Sequence, residues 1–133
     1  GQSRNNYSSR ATNAAFCVAN SQPEKFFAAN SALYAKQPAE QTAGPSDSDI
    51  KSTLSGAGVT INAEMNTCID QKRYSKFIEN RTAEALSKPA VSGTGIPTGT
   101  PYILVNGTLY DFKEYEQLTN PALFAQFFEN NRK

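Results

Sequence analysis

Over roughly the first ninety residues, apolar positions recur at helical spacing. Ala11, Ala15 and Val18 fall three and four apart with Ala14 beside them, which predicts a helix over about residues 9–20 capped by Ser8 or Ser9. A second helix follows in "SQPEKFFAANSALYAKQP". There Ser21 and Glu24 have capping-box spacing, Pro23 suits a first turn, and Phe26, Phe27, Leu33 and Tyr34 make the apolar face that Gln37-Pro38 ends. Ser46 and Asp49 repeat the capping-box pattern before a short helix closed by Gly56 and Gly58. "INAEMNTCID" predicts a further helical turn from about Asn62. Tyr74, Phe77, Ile78, Ala85 and Leu86 then line one face of a helix over about 72–88 that Pro89 stops.

The pattern changes in "GIPTGTPYILVNGTLYDF", Gly95 to Phe112. Asn106-Gly107 between the apolar runs "YILV" and "TLY" is a strong hairpin signal, because both central residues of the tight turn take positive φ. "YILV" has no polar alternation, so Tyr102 to Val105 is expected to be a central strand, buried on both faces. Asn120-Pro121 opens a last helix with Leu123, Phe124, Phe127 and Phe128 as its apolar face. A lone hairpin is marginal in water, and no other segment reads as a strand. Either another molecule completes the sheet, or its other strands belong to chain preceding Gly1.

Composition narrows the chemistry. The 133 residues suit one domain, and 38% apolar residues with a mean hydropathy of −0.54 describe a polar globular chain. No apolar run reaches membrane-spanning length and no signal peptide opens the sequence, so an exported form is expected to have shed its leader. A net charge of +1, with Lys and Arg scattered, offers no stripe for nucleic acid. The chain has no His, which removes the commonest general base and metal ligand together. Asp111, Glu114 and Glu116 form an acidic group of the residue type an acid/base hydrolase uses; it reads more simply as a solvated turn. "NRT" and "NGT" at Asn80 and Asn106 are glycosylation sequons, the second better explained by the turn.

Cys17 and Cys68 lie in different predicted helices and form no CxxC pair. They read as a disulfide stapling two helices in an oxidising compartment, as two buried thiols, or as a redox-active pair. Two cysteines without His build no tetrahedral zinc site, so no metal and no cofactor are expected.

"GTPYILVNG" resembles the "GTPTxxVNG" segment of DsbA-like thioredoxin-fold thiol-disulfide oxidoreductases of the actinobacterial type. "YSSRATNAAFCVAN", "FFAANSALYAKQP" and "CIDQKRYSKFIENRTAEA" resemble the same proteins' inserted helical subdomain in order and spacing. The resemblance covers about Tyr7 to Phe128 and is most specific at Gly99-Thr100-Pro101 with the hairpin. It implies an α/β fold, mostly helical in this chain: a partial thioredoxin-like fold with a helical subdomain over 9–90 and a cis-Pro loop, β-hairpin and C-terminal helix over 91–133, after a polar lead over 1–8 that by its own composition reads as disordered or frayed. It further implies a structural disulfide between Cys17 and Cys68, a cis Thr100-Pro101 bond, and substrate contact by Thr100 and Pro101. Without it, Pro101 reads as an ordinary trans residue at a strand start.

The family's chemistry needs a CxxC at a helix start, where the amino-terminal cysteine is held as a thiolate, and this chain has none. The expected function is therefore that of a portion of an exported oxidoreductase, supplying the substrate-facing loop and helical cap without turnover of its own. The other reading is a non-catalytic extracytoplasmic binding or sensor module with a degenerate thioredoxin-like fold. Expected partners are unfolded or thiol-containing proteins, with strand exchange or a dimer completing the sheet.

Overall fold

The structure is a computed structural model and describes residues 3–89, 94–97 and 100–132. Its elements in chain order are α1 (Tyr7–Ser21), a 3-10 turn (Pro23–Lys25), α2 (Phe26–Ala35), α3 (Asp47–Gly56), α4 (Ala63–Asp70), α5 (Ser75–Ala85), β1 (Leu104–Val105), β2 (Thr108–Leu109), α6 (Tyr115–Thr119) and α7 (Pro121–Asn131). The chain divides into two compact units, Gly1–Asn80 and Arg81–Lys133. The division falls inside α5, ten residues before the boundary the sequence predicts.

The first unit is built on α1, which touches α2, α3 and α4. Ala11, Ala14, Ala15 and Val18 make its buried face, and three alanines there let neighbouring helices approach closely. Ala29 and Leu33 of α2, Ile50 and Leu54 of α3, and Met65, Cys68 and Ile69 of α4 complete the core with Val59. Ser46 and Asp49 form the expected capping box, and Asn62 caps α4 by accepting from the Met65 amide at 2.9 Å.

Several expectations fail here for definable reasons. The frayed lead gives way to an anchored one. Ser3 Oγ accepts from the Tyr7 amide at 2.6 Å, and α1 starts at Tyr7, earlier than expected, with Asn6 rather than Ser8 or Ser9 at its N-cap. Tyr7 is buried, and its hydroxyl donates to the Leu33 carbonyl at 2.7 Å. Asn5 and Gly44 exchange two hydrogen bonds, Nδ2 to the Gly44 carbonyl at 2.6 Å and the Gly44 amide to Oδ1 at 2.9 Å. Gly44 is required there, since a Cβ would lie 2.5 Å from that of Tyr7. Gly1 and Gln2 lie outside the described residues.

Ser21 does not cap α2; it is the last residue of α1, and its hydroxyl donates back to the Cys17 carbonyl. The inner strip of α2 is Phe26, Ala29 and Leu33, leaving Phe27 82% and Tyr34 69% exposed. The expected face weighted large aromatics over the small Ala29 that sits on the core side. Helix α5 is shorter than the predicted 72–88 because the turn before it, with Lys72 at φ 50°, delays its start. Tyr74 and Phe77 pack on Phe16, whereas Leu86 is exposed.

In the second unit Asn106 and Gly107 take φ of 49° and 84°, the tight hairpin turn expected. β1 and β2 pair antiparallel with Leu104 opposite Leu109 and Val105 opposite Thr108, and the Tyr110 amide continues the ladder to the Ile103 carbonyl at 2.9 Å. The expected central strand over 102–105 shrinks to two residues, of which Val105 is buried and Leu104 half-buried. Antiparallel pairing turns the backbone groups of alternate residues to opposite sides, so those of Tyr102 and Leu104 face away from β2. Among the described residues no strand pairs with that edge.

Helix α7 begins as predicted, with Asn120 Oδ1 accepting from the Ala122 amide at 3.0 Å and Pro121 in its first turn. Its inner strip is Phe124 and Phe127, which gather on the Tyr110 ring at centroid distances of 5.4 and 4.8 Å. Leu123 and Phe128, expected on the same face, are exposed.

Candidate functional site

At the open end of the hairpin, Thr100, Pro101, Tyr102, Leu109, Tyr110, Asp111 and Phe112 line a recess of about 220 Å³. The Thr100-Pro101 peptide is cis. Gly99, the remaining member of the sequence motif, lies outside the described residues. The Tyr102 hydroxyl donates to the Gly95 carbonyl at 2.9 Å and ties the loop before Thr100 to the strand after it. Tyr110 is fixed at both ends: its ring sits among Phe112, Phe124 and Phe127, and its hydroxyl donates to the Gln117 carbonyl at 2.7 Å. The Tyr110 side of the recess is therefore held by packing, and its lining includes the apolar Pro101 and Leu109, both exposed.

The acidic residues near this recess do not converge. Asp111 pairs with Lys113 at 2.6 Å, and Asp111, Glu114 and Glu116 are all exposed. Gln117 Oε1 accepts from the Lys113 and Glu114 amides and makes the region a helix entry. Among the described residues, no group of three or more His, Cys, Asp or Glu could hold a metal ion.

A family model described as Thioredoxin matches residues 2–121. The chain belongs to the thioredoxin family. No curated protein and no solved structure is similar enough to match. The match spans both the helical elements and the hairpin, so this is a thioredoxin-like domain that is mostly helical and carries a two-stranded antiparallel sheet.

In this thioredoxin-family chain both cysteines are joined as Cys17–Cys68, with Cα atoms 6.0 Å apart, and the bond lies in the first unit between α1 and α4. The two residues are 2% and 3% exposed. Beside them Asn13, also 2% exposed, donates from Nδ2 to the Cys68 carbonyl at 3.4 Å and lies 3.9 Å from Cys17 Sγ, while Oδ1 accepts from the Tyr74 amide at 2.8 Å. One side chain thus joins α1, α4 and the entry to α5. Sequence reasoning missed Asn13. Its signal was a polar residue inside the alanine-rich stripe of α1, four residues before Cys17, where only a partnered polar group is tolerated. Missed as well was Tyr110, whose role depends on residues of α6 and α7 that spacing within the hairpin does not reveal.

Proposed function

We propose that this chain is the carboxy-terminal portion of an exported DsbA-like thiol-disulfide oxidoreductase of the actinobacterial type. It supplies the substrate-facing proline loop and a helical cap, and it does not turn over alone. The observation that carries this reading is the recess at Thr100 and Pro101, at the root of a strand whose outer backbone groups are unpaired among the described residues. An extended peptide from an unfolded or thiol-containing protein would pair with such backbone groups and place one side chain against Pro101 and Leu109. The oxidising and reducing equivalents would belong to a CxxC outside this sequence, since the chain's two cysteines are bonded to each other.

The Cys17–Cys68 bond is a structural staple in this reading. Exchange begins with thiolate attack on sulfur, and burial of both residues denies that approach. A staple of this kind suits an oxidising, extracytoplasmic compartment.

Insulin reduction tests the proposal. The polypeptide should be inactive with a dithiol supply, and the parent reading frame, carrying an upstream strand and CxxC, should be active. Robust turnover by this polypeptide alone would overturn it. A second reading, a non-catalytic binding or sensor module, is favoured by the same bonded cysteines. It predicts a parent frame without CxxC and a sheet completed by a partner strand or a second copy.

A further inference from the structure

We infer that Asn106 is a site of spontaneous covalent modification, its side-chain amide converted to a carboxylate, and that contact with α7 restrains the conversion. Asn106 is exposed at the hairpin tip, and the next residue is Gly107. Beyond its two chain neighbours, no atom lies within 4 Å of where a Gly107 Cβ would stand, so no other part of the chain crowds Gly107 on that side.

That nitrogen attacks Asn106 Cγ, and a five-membered imide forms as the Cγ–Nδ2 bond breaks. The amide proton of Gly107 leaves with the departing nitrogen as ammonia. Water then opens the ring at either carbonyl, giving aspartate or an isoaspartyl linkage, and no other reactant is needed.

The restraint is the hydrogen bond from Asn106 Nδ2 to the Asn131 carbonyl at 2.7 Å. Asn131 is itself held by its own Nδ2 donating to the Phe127 carbonyl at 2.8 Å, one turn back in α7. Ring closure requires the Asn106 amide to release Asn131. After conversion, a carboxylate faces a carbonyl with no donor between them, so the tie between turn and helix end is lost. The isoaspartyl product also lengthens the backbone inside a turn whose two residues set the pairing of Val105 with Thr108. The modification therefore marks and loosens the joint between the hairpin and α7.

Trypsin isolates the site. Cleavage after Arg81 and Lys113, with Lys88-Pro89 resistant, yields residues 82–113, in which Asn106 is the single asparagine and glutamine is absent. The full chain is held in mildly alkaline buffer, folded or in urea, and the exchange of NH for O in this peptide is followed by mass. Conversion should run at least about tenfold more slowly in the folded chain, because it proceeds from the locally opened form. Equal rates overturn the restraint, and no conversion in urea overturns the site. Asn106→Asp in the full chain reproduces the product charge while keeping a residue pair that favours the same turn. It should speed hydrogen exchange of the Arg132 amide, which donates to the Phe128 carbonyl, by at least about tenfold; unchanged exchange overturns the link to α7.

Discussion

The two units of this chain bury their apolar residues in different ways. Among the described residues, every buried apolar side chain except Val105 belongs to the first unit, where four helices, a disulfide and a satisfied Asn13 enclose one core. Among the described residues, the second unit has one aromatic cluster, on Tyr110, and a strand edge with no partner strand. Helices satisfy their own backbone, so the first unit needs only side-chain packing to be stable; a sheet satisfies its backbone through neighbours, so the second is left, among the described residues, with unpaired strand groups. The element with that edge is also the one that carries the recess, and the proposed pairing with an extended peptide requires such an edge.

The sharpest way to break the comparison is to remove the staple. Cys17→Ala with Cys68→Ala should cost the helical unit about 4 kcal/mol, the chain-entropy value for a loop of this length. Urea unfolding followed by far-ultraviolet circular dichroism measures it, and an unchanged midpoint would show that helix packing alone holds α1 on α4. A matched pair of truncations then compares the units directly. Leu54→Ala empties a fully buried site in α3 and should cost about 3 kcal/mol, whereas Leu123→Ala on α7, 40% exposed, should stay within about 0.5 kcal/mol. Equal losses would mean that α7 is covered by something beyond the described contacts.

Asn13→Ala is expected next, at about 1–3 kcal/mol. It leaves the Tyr74 amide without its acceptor and the Cys68 carbonyl without this donor. Hydrogen exchange of the Tyr74 amide should quicken as well; retained protection would show that the amide finds another partner.

How far the sequence foretold this structure follows from the range of each signal. Ser46 with Asp49, Asn62, Asn106-Gly107 and Asn120-Pro121 act within four residues, and each of these caps and turns stands where its spacing predicts. The order of helices, hairpin and final helix followed from them. Burial was less legible because it depends on what lies opposite. On α2 the small Ala29 took the inner strip and Phe27 the outer one, which no feature of α2 alone determines. Ser3 and Asn5 looked like a polar lead because their partners, Tyr7 and Gly44, gain meaning only when the loop before α3 folds back. Of the residues that line the recess, Thr100 and Pro101 were expected through resemblance, while Leu109, Tyr110 and Phe112 line it through the register of β2.

The smallest expected effects are titrations in the first unit, and they have opposite signs. Burial raises the Tyr7 phenol above the ordinary tyrosine value of 10.0, with the nearby Arg10 charge offsetting part of it. The folded chain thus holds this proton more tightly than the unfolded one, so the contribution is complete below the unfolded value and is lost as pH rises through the folded one. Asp49 moves the other way: the Ser46 hydroxyl and amide both donate to its carboxylate and lower it from 3.8. Its contribution is present above that value and fades as pH falls through the lower folded one. Stability measured by urea midpoint should decline at both extremes. Tyr7→Phe should flatten the alkaline limb alone and Asp49→Asn the acid limb alone. If Tyr7→Phe leaves the alkaline slope intact, the burial of Tyr7 against Leu33 is not what sets that limb, and the first unit's lead is less firmly anchored than its hydrogen bonds to Ser3 and Gly44 imply.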